Sequence, residues 1–154
     1  MSDAPIAVGT PAPDFTLPST AGEQVSLSAL RGKRVLLAFF PAAFTGTCTA
    51  EMCEFTSDFA EYTSRNAVVL PISVDQVPSL KVFAEQEKVT VPLLSDSRRE
   101  VSRAYGVLDE EKFWSRRAYV LIDENGVVRW SYVEPQASHK RDTSELIRQL
   151  DALG

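Results

Sequence analysis

At 154 residues and 17.0 kDa the chain has the length of one domain, and folding at this size hides roughly 70% of the extended surface, so a packed core needs no metal or disulfide staple. With 44% hydrophobic and 24% charged residues, its composition excludes a disordered, collagen-like or low-complexity chain. Sixteen Lys and Arg against 21 Asp and Glu leave a net charge of −5, which argues against nucleic acid as a partner.

The opening Met1-Ser2-Asp3-Ala4-Pro5 lacks the basic-then-apolar pattern of a leader, and two cysteines are too few for a secreted disulfide scaffold; both predict a cytoplasmic protein. Pro5, Pro11, Pro13 and Pro18 with Gly9 and Gly22 predict an extended N-terminal arm, with one short strand near 24–27. Residues 35–40 form a continuous apolar run stopped by Pro41, as expected of a central strand buried on both faces. Even extended to Phe44, the run has about half of the ~20 residues a membrane helix needs, so no membrane contact is predicted.

Cys48, Met52, Phe55, Phe59 and Tyr62 follow at helical steps and predict one helix from Thr47 to about Tyr62. A second strand is expected at 67–74, where Pro71 requires either a bulge or a start near Ile72. Leu80, Phe83 and Ala84 mark a second helix opened by Pro78. Ser97 and Glu100 form a capping-box pattern for a short helix closed by Gly106. Segments 117–123 and 127–133 flank Asn125-Gly126, a hairpin signal. Leu146, Ile147, Leu150 and Leu153 predict a terminal helix after the Asp142 and Glu145 pair. This order is that of an α/β, thioredoxin-like fold: a central mixed β-sheet flanked by helices, with an N-terminal extension, in a single domain over 1–154.

Cys48 stands after a buried strand at the mouth of a helix, where backbone donors and the helix dipole favour a thiolate. The competing reading makes Cys48 and Cys53 small packing residues. Tetrahedral zinc lacks ligands, since the only histidine, His139, lies far off in a polar stretch expected to be an exposed loop; the same shortage argues against a Cys-His pair. The spacing of the cysteines is not that of a CxxC disulfide exchanger.

Pro41, Thr45 and Cys48 match the PxxxTxxC pattern of the peroxiredoxin family, which the chain resembles over nearly its whole length. The matching segments are FFPAAFTGTC, ISVD at 72–75, LLSD at 93–96 and RAYVLID at 117–123. The resemblance implies a thiol peroxidase in which Cys48 attacks peroxide, Thr45 and Arg117 position it and Pro41 shields the site. Glu51 matches a position where relatives carry an acid. No flavin, haem or metal is implied. Strand alternation sends Arg116 and Arg117 to opposite faces, and the family match selects Arg117. Phe40, Phe44, Phe83, Phe113 and Trp114 are candidate pocket walls, and relatives occur as monomers or homodimers.

Thiol acidity alone does not make a peroxidase. Lowering a thiol pKa from about 8.5 to about 6 gives roughly 30-fold more thiolate at neutral pH, and lost nucleophilicity returns roughly 10-fold of it. The remaining acceleration has to come from gripping the peroxide in line with sulfur, the expected task of Thr45, Arg117 and the Cys48 amide.

A Cys48 sulfenic acid would condense with a thiol, and Cys53 is the other cysteine of the chain. Five residues along an ideal helix separate the Cα atoms by roughly 8.5 Å, beyond the roughly 7 Å a disulfide tolerates, so the helix must unwind around residues 46–56. The spacing is similar to that of Q-type peroxiredoxins, the bacterioferritin comigratory proteins, which implies an intramolecular disulfide recycled by thioredoxin or a similar dithiol. FFPAAFTG is similar to the AhpE-like branch, which leaves open a one-cysteine peroxidase resolved by an external thiol. A non-enzymatic redox sensor or chaperone-like protein is the alternative of another class.

Overall fold

A strand with apolar side chains on both faces must be covered on both, and the computed structural model, which describes residues 5–153, builds the molecule around one. The leader reading at residues 1–4 lies outside the described residues. In chain order the elements are β1 (Thr16–Pro18), β2 (Gln24–Ser26), a 3₁₀ turn (Leu27–Leu30), β3 (Arg34–Phe39), α1 (Gly46–Ser57), α2 (Phe59–Thr63), β4 (Ala67–Ser73), α3 (Val77–Glu87), β5 (Leu94–Ser95), α4 (Glu100–Ala104), β6 (Leu108–Asp109), β7 (Trp114–Ser115), β8 (Ala118–Ile122), β9 (Val128–Val133) and α5 (Thr143–Asp151). The central sheet runs β5-β4-β3-β8-β9, parallel from β5 to β3 and antiparallel from β3 to β9.

Alternation along β3 divides the core. Leu36, Ala38 and Phe40 join Met52 and Phe55 of α1, Leu80 and Phe83 of α3, and Leu146 and Leu150 of α5. Val35, Leu37 and Phe39 face the other way, towards Leu17, Leu27, Val101 and Tyr105. The fold is therefore the thioredoxin-like α/β sandwich expected, and the hairpin around Asn125-Gly126 forms as β8 and β9, with Gly126 at φ 80.

Four local expectations are corrected. The helix over 47–62 is two helices, because the chain leaves helical geometry at Asp58 (φ −100, ψ 17), whose carboxylate accepts the Thr143 hydroxyl at 2.7 Å. The break turns Phe59 outward, 52% exposed, while Tyr62 stays buried. Pro71 causes neither a bulge nor a late start: β4 pairs with β3 straight through it, Ala38 opposite Pro71. The Phe40 amide bonds the Ile72 carbonyl, so alternation turns the Pro71 nitrogen towards β5, whose pairing begins only at Ile72 and Leu94.

The Ser97 and Glu100 capping box does not form, because Arg99 precedes α4 in the left-handed region (φ 64). Buried Asp96 caps instead, accepting the Val101 and Ser102 amides at 3.2 and 2.7 Å and the Ser102 hydroxyl at 2.8 Å. The Asp142 and Glu145 pair likewise makes no side-chain cap; the Thr143 amide donates to Glu54 Oε1 of α1 at 2.8 Å, docking α5 on α1. Strands β1, β5, β6 and β7, two or three residues each, were too short to carry a period.

Removing the Asp96 carboxylate strands two buried amides and a hydroxyl. Asp96→Ala is expected to lower the unfolding free energy by about 3 kcal/mol in chemical denaturation, whereas Glu100→Ala changes it by less than about 0.5 kcal/mol. The reverse ranking would restore the capping box.

Candidate active site

Strand β3 delivers the chain to Pro41, which is buried, and the following turn is fixed by Asp75 Oδ2, which accepts the Ala43 amide at 2.9 Å and the Ser73 hydroxyl at 2.8 Å. Phe44 then takes a left-handed conformation (φ 67), standing outward and edge-on to Phe83 at 5.3 Å. That reversal makes Thr45 the N-cap of α1 and Cys48 its third residue, both on one side of the first turn. The Thr45 hydroxyl donates to the Ala42 carbonyl at 3.0 Å, so towards a ligand it offers lone pairs rather than its proton.

The Cys48 sulfur is fully buried, and Arg117 reaches it from just ahead of β8, the strand beside β3. Arg117 precedes β8 in phase with Tyr119 and Leu121, which face α1, so alternation directs it at the helix. Its three nitrogens each have a partner: Nη2 donates to Cys48 Sγ at 2.9 Å, Nη1 to Glu51 Oε1 at 2.8 Å and Nε to the Ala137 carbonyl at 3.0 Å. Glu51, one turn beyond Cys48, is buried; its other oxygen accepts the Tyr119 hydroxyl at 2.6 Å, and that hydroxyl accepts the Arg141 amide at 2.9 Å.

Burial pushes the Glu51 carboxyl above its ordinary value, against the pull of Arg117 and Tyr119. Burial also opposes the Arg117 charge, but Glu51 and the Cys48 sulfur outweigh it, so the guanidinium holds its proton more firmly than usual. The Tyr119 hydroxyl is raised by burial and by the adjacent Glu51 carboxylate, and stays protonated.

The segment between β9 and α5 closes this arrangement. Besides the Ala137 carbonyl on Arg117, the Ser138 carbonyl accepts the Thr47 hydroxyl at 3.3 Å and Lys140 pairs with Glu54 Oε2 at 2.5 Å. A cleft of about 530 Å³ opens beside it, lined by Pro41, Trp114, Arg116, Arg117, Glu134 and Gln136 among others. Of the five aromatic wall candidates only Trp114 lines it: Phe40 and Phe83 are core residues, and Phe44 and Phe113 stand exposed. The expected separation of Arg116 and Arg117 to opposite faces does not keep Arg116 out: both lie between β7 and β8, outside either strand, and both line the cleft, while Arg117 alone meets the sulfur. His139 is exposed, as expected.

Cys48 and Cys53 are both free thiols and point to different sides of α1, Cys53 Sγ lying 3.9 Å from the Glu87 carbonyl of α3. Thus Cys48, Arg117 and Glu51 converge, Pro41 borders them, and Cys53 stands apart. Tyr119 and the Ala137 carbonyl were missed. Tyr119 carried a usable signal, a polar-tipped aromatic two residues after Arg117 in an otherwise aliphatic strand; a backbone carbonyl carries none.

Residues 8–131 match the AhpC/TSA family. The chain is 39% identical over 138 residues to alkyl hydroperoxide reductase E of Mycobacterium tuberculosis, covering 88% of this chain and 90% of that one. It is 37% identical over 151 residues to the Coxiella burnetii protein bcp, named a peroxiredoxin, covering 94% and 99%. The reduced 2-Cys peroxiredoxin of Plasmodium vivax superposes with a TM-score of 0.90 at 30% identity, over 97% of this chain and 82% of that one. A match of this extent, on a chain whose buried cysteine meets an arginine brought from another strand, decides the family: the chain belongs to the AhpC/TSA family, the peroxiredoxins.

Proposed function

We propose that this protein is a thiol-dependent peroxidase that reduces hydrogen peroxide and organic hydroperoxides through Cys48. The observation that carries the reading is the 2.9 Å contact between the Arg117 guanidinium and a buried sulfur in the first turn of a helix. A permanent cation against that sulfur is placed to stabilise the negative charge that develops on the leaving oxygen.

The Cys48 thiolate attacks one peroxide oxygen. A sulfur–oxygen bond forms as the oxygen–oxygen bond breaks, leaving a sulfenic acid, and the departing RO⁻ takes a proton to become ROH. Thr45, its own proton committed to Ala42, accepts the peroxide O–H and sets the in-line approach. Arg117 and the Cys48 amide stabilise the departing charge, Pro41 keeps water from the sulfur, and Glu51 holds Arg117.

Cys53 is the intramolecular resolving thiol. It attacks the Cys48 sulfur, a disulfide forms and the hydroxyl leaves as water; thioredoxin or a similar dithiol then accepts the disulfide exchange and restores both thiols. The two sulfurs leave opposite sides of one helix, so α1 must unwind across residues 46–56 for this step. Unwinding breaks the bonds of Thr47 to Ser138 and of Glu54 to Lys140 and Thr143, which frees the segment ahead of α5. The contact of Cys53 with the Glu87 carbonyl favours a second reading, in which Cys53 packs and an external thiol resolves. The protein acts in the cytoplasm, as a monomer or homodimer.

Cys48→Ser is expected to abolish peroxide turnover. Thr45→Val and Arg117→Met are each expected to slow thiol oxidation by about 100-fold, with Thr45→Ser within about threefold of the parent, in stopped-flow oxidation. Unchanged rates in both variants would remove the peroxidase assignment of the site.

One equivalent of hydrogen peroxide is expected to remove both free thiols with loss of two hydrogens in intact mass, and to expose the amides of residues 46–57 and 138–146 to exchange. Cys53→Ser should stop at a Cys48 sulfenic acid. A free Cys53 in the oxidised wild type selects the external-thiol reading instead.

A further inference from the structure

Arg117 is aimed by Glu51, which raises the question of what aims Glu51. A carboxylate with one oxygen on a guanidinium and the other buried without a donor would rotate or take up a proton. The second oxygen here is not left bare: the Tyr119 hydroxyl, 2.6 Å away, gives its proton to Oε2 and in turn accepts the Arg141 amide. The ring itself is held independently, stacked on Trp130 at 6.3 Å. Removing the hydroxyl therefore takes away its two bonds, to Glu51 and from the Arg141 amide, and leaves the ring packing in place.

We propose that Tyr119 is a positioning residue of the peroxidatic site: its hydroxyl fixes Glu51 in the ionised, bridging geometry that points Arg117 at Cys48. This rests on the peroxidase reading above. The chain of contacts runs from the Arg141 amide to Tyr119, to Glu51, to Arg117 and to the sulfur, each link between 2.6 and 2.9 Å. The segment between β9 and α5 thus touches Arg117 at Ala137 and, through Arg141 and Tyr119, at the far end of the same relay.

The groups facing Glu51 are Arg117 ahead of β8, Tyr119 on β8, Lys140 in the segment before α5, Tyr62 of α2 and Cys48 on its own helix. Of these only Tyr119 and Arg117 bond it directly, and only Tyr119 does so as a neutral donor. Burial already favours the protonated acid, with the Tyr119 bond opposing it, so loss of the hydroxyl moves protonation upward in pH.

The test is the rate of Cys48 oxidation by hydrogen peroxide from acid to alkaline pH in wild type, Tyr119→Phe, Glu51→Gln and the double variant, with thiolate content followed separately by its ultraviolet absorbance. In Tyr119→Phe the acid limb of the thiolate-corrected rate should move up by about one pH unit, a loss of about tenfold on that limb with a near-parental rate at alkaline pH. In the Glu51→Gln background, which has no carboxyl to titrate, the same substitution should leave the profile where it was.

A uniform fall at every pH, or an equal shift in both backgrounds, would overturn the proposal and make the hydroxyl a packing feature. If wild-type Cys48 fails to react with peroxide, or Cys48→Ser still turns it over, the peroxidase reading falls and this proposal falls with it. That outcome is read from the parent protein and Cys48→Ser alone, before any Tyr119 variant is compared.

Discussion

A guanidinium buried to 1% exposure has to find a partner for every nitrogen, and Arg117 finds three on three different parts of the chain. Its carrier leads into β8, its carboxylate and sulfur partners sit on α1, and its carbonyl partner belongs to the segment between β9 and α5. No one of these could shift without stranding a buried charge. The demand of a single side chain for satisfied donors therefore ties the helix mouth, the sheet and the closing segment into one unit around the thiol. A buried pair of this kind contributes little net stability after desolvation, so its presence speaks for function.

The rest of the fold makes that convergence possible. Antiparallel pairing of β3 with β8, Phe39 opposite Ala118, brings Arg117 beside the end of the strand that leads to Pro41. Parallel pairing of β3 with β4 carries Ser73 to the same end, where the Ser73 hydroxyl and Asp75 fix the turn before Thr45. The left-handed Phe44 accepts backbone strain so that α1 can start with its free amides around Cys48. Further out, Glu54 and Asp58 hold Thr143, and burial of Glu54, more than offset by Lys140 and Thr143, leaves its carboxyl below the ordinary value.

Much of this was legible from residue order. Continuous apolar runs specify a strand buried on both faces, Asn125-Gly126 specifies a hairpin, and Pro41, Thr45, Cys48 and Arg117 stand in a spacing that the family match makes specific. What was not legible depends on partners distant in sequence. The break at Asp58 follows from Thr143, 85 residues away. Asp96 displaced Ser97 as the cap because Arg99 turned left-handed, a choice no local pattern carries. Pro71 is harmless only because β5 begins one residue late, and Tyr119 gains meaning only once α1 packs Glu51 over its face of the sheet.

The central claim is that geometry around Cys48, rather than acidity alone, drives the reaction with peroxide. Its most direct measurement is the second-order rate constant of Cys48 with hydrogen peroxide, divided by the ionised fraction and compared with a small-molecule thiolate of equal basicity. An excess of at least about 1,000-fold is predicted from oriented approach and stabilised leaving charge. A ratio within about tenfold would contradict the account, since with ionisation and basicity matched it would leave no substantial acceleration for positioning to supply.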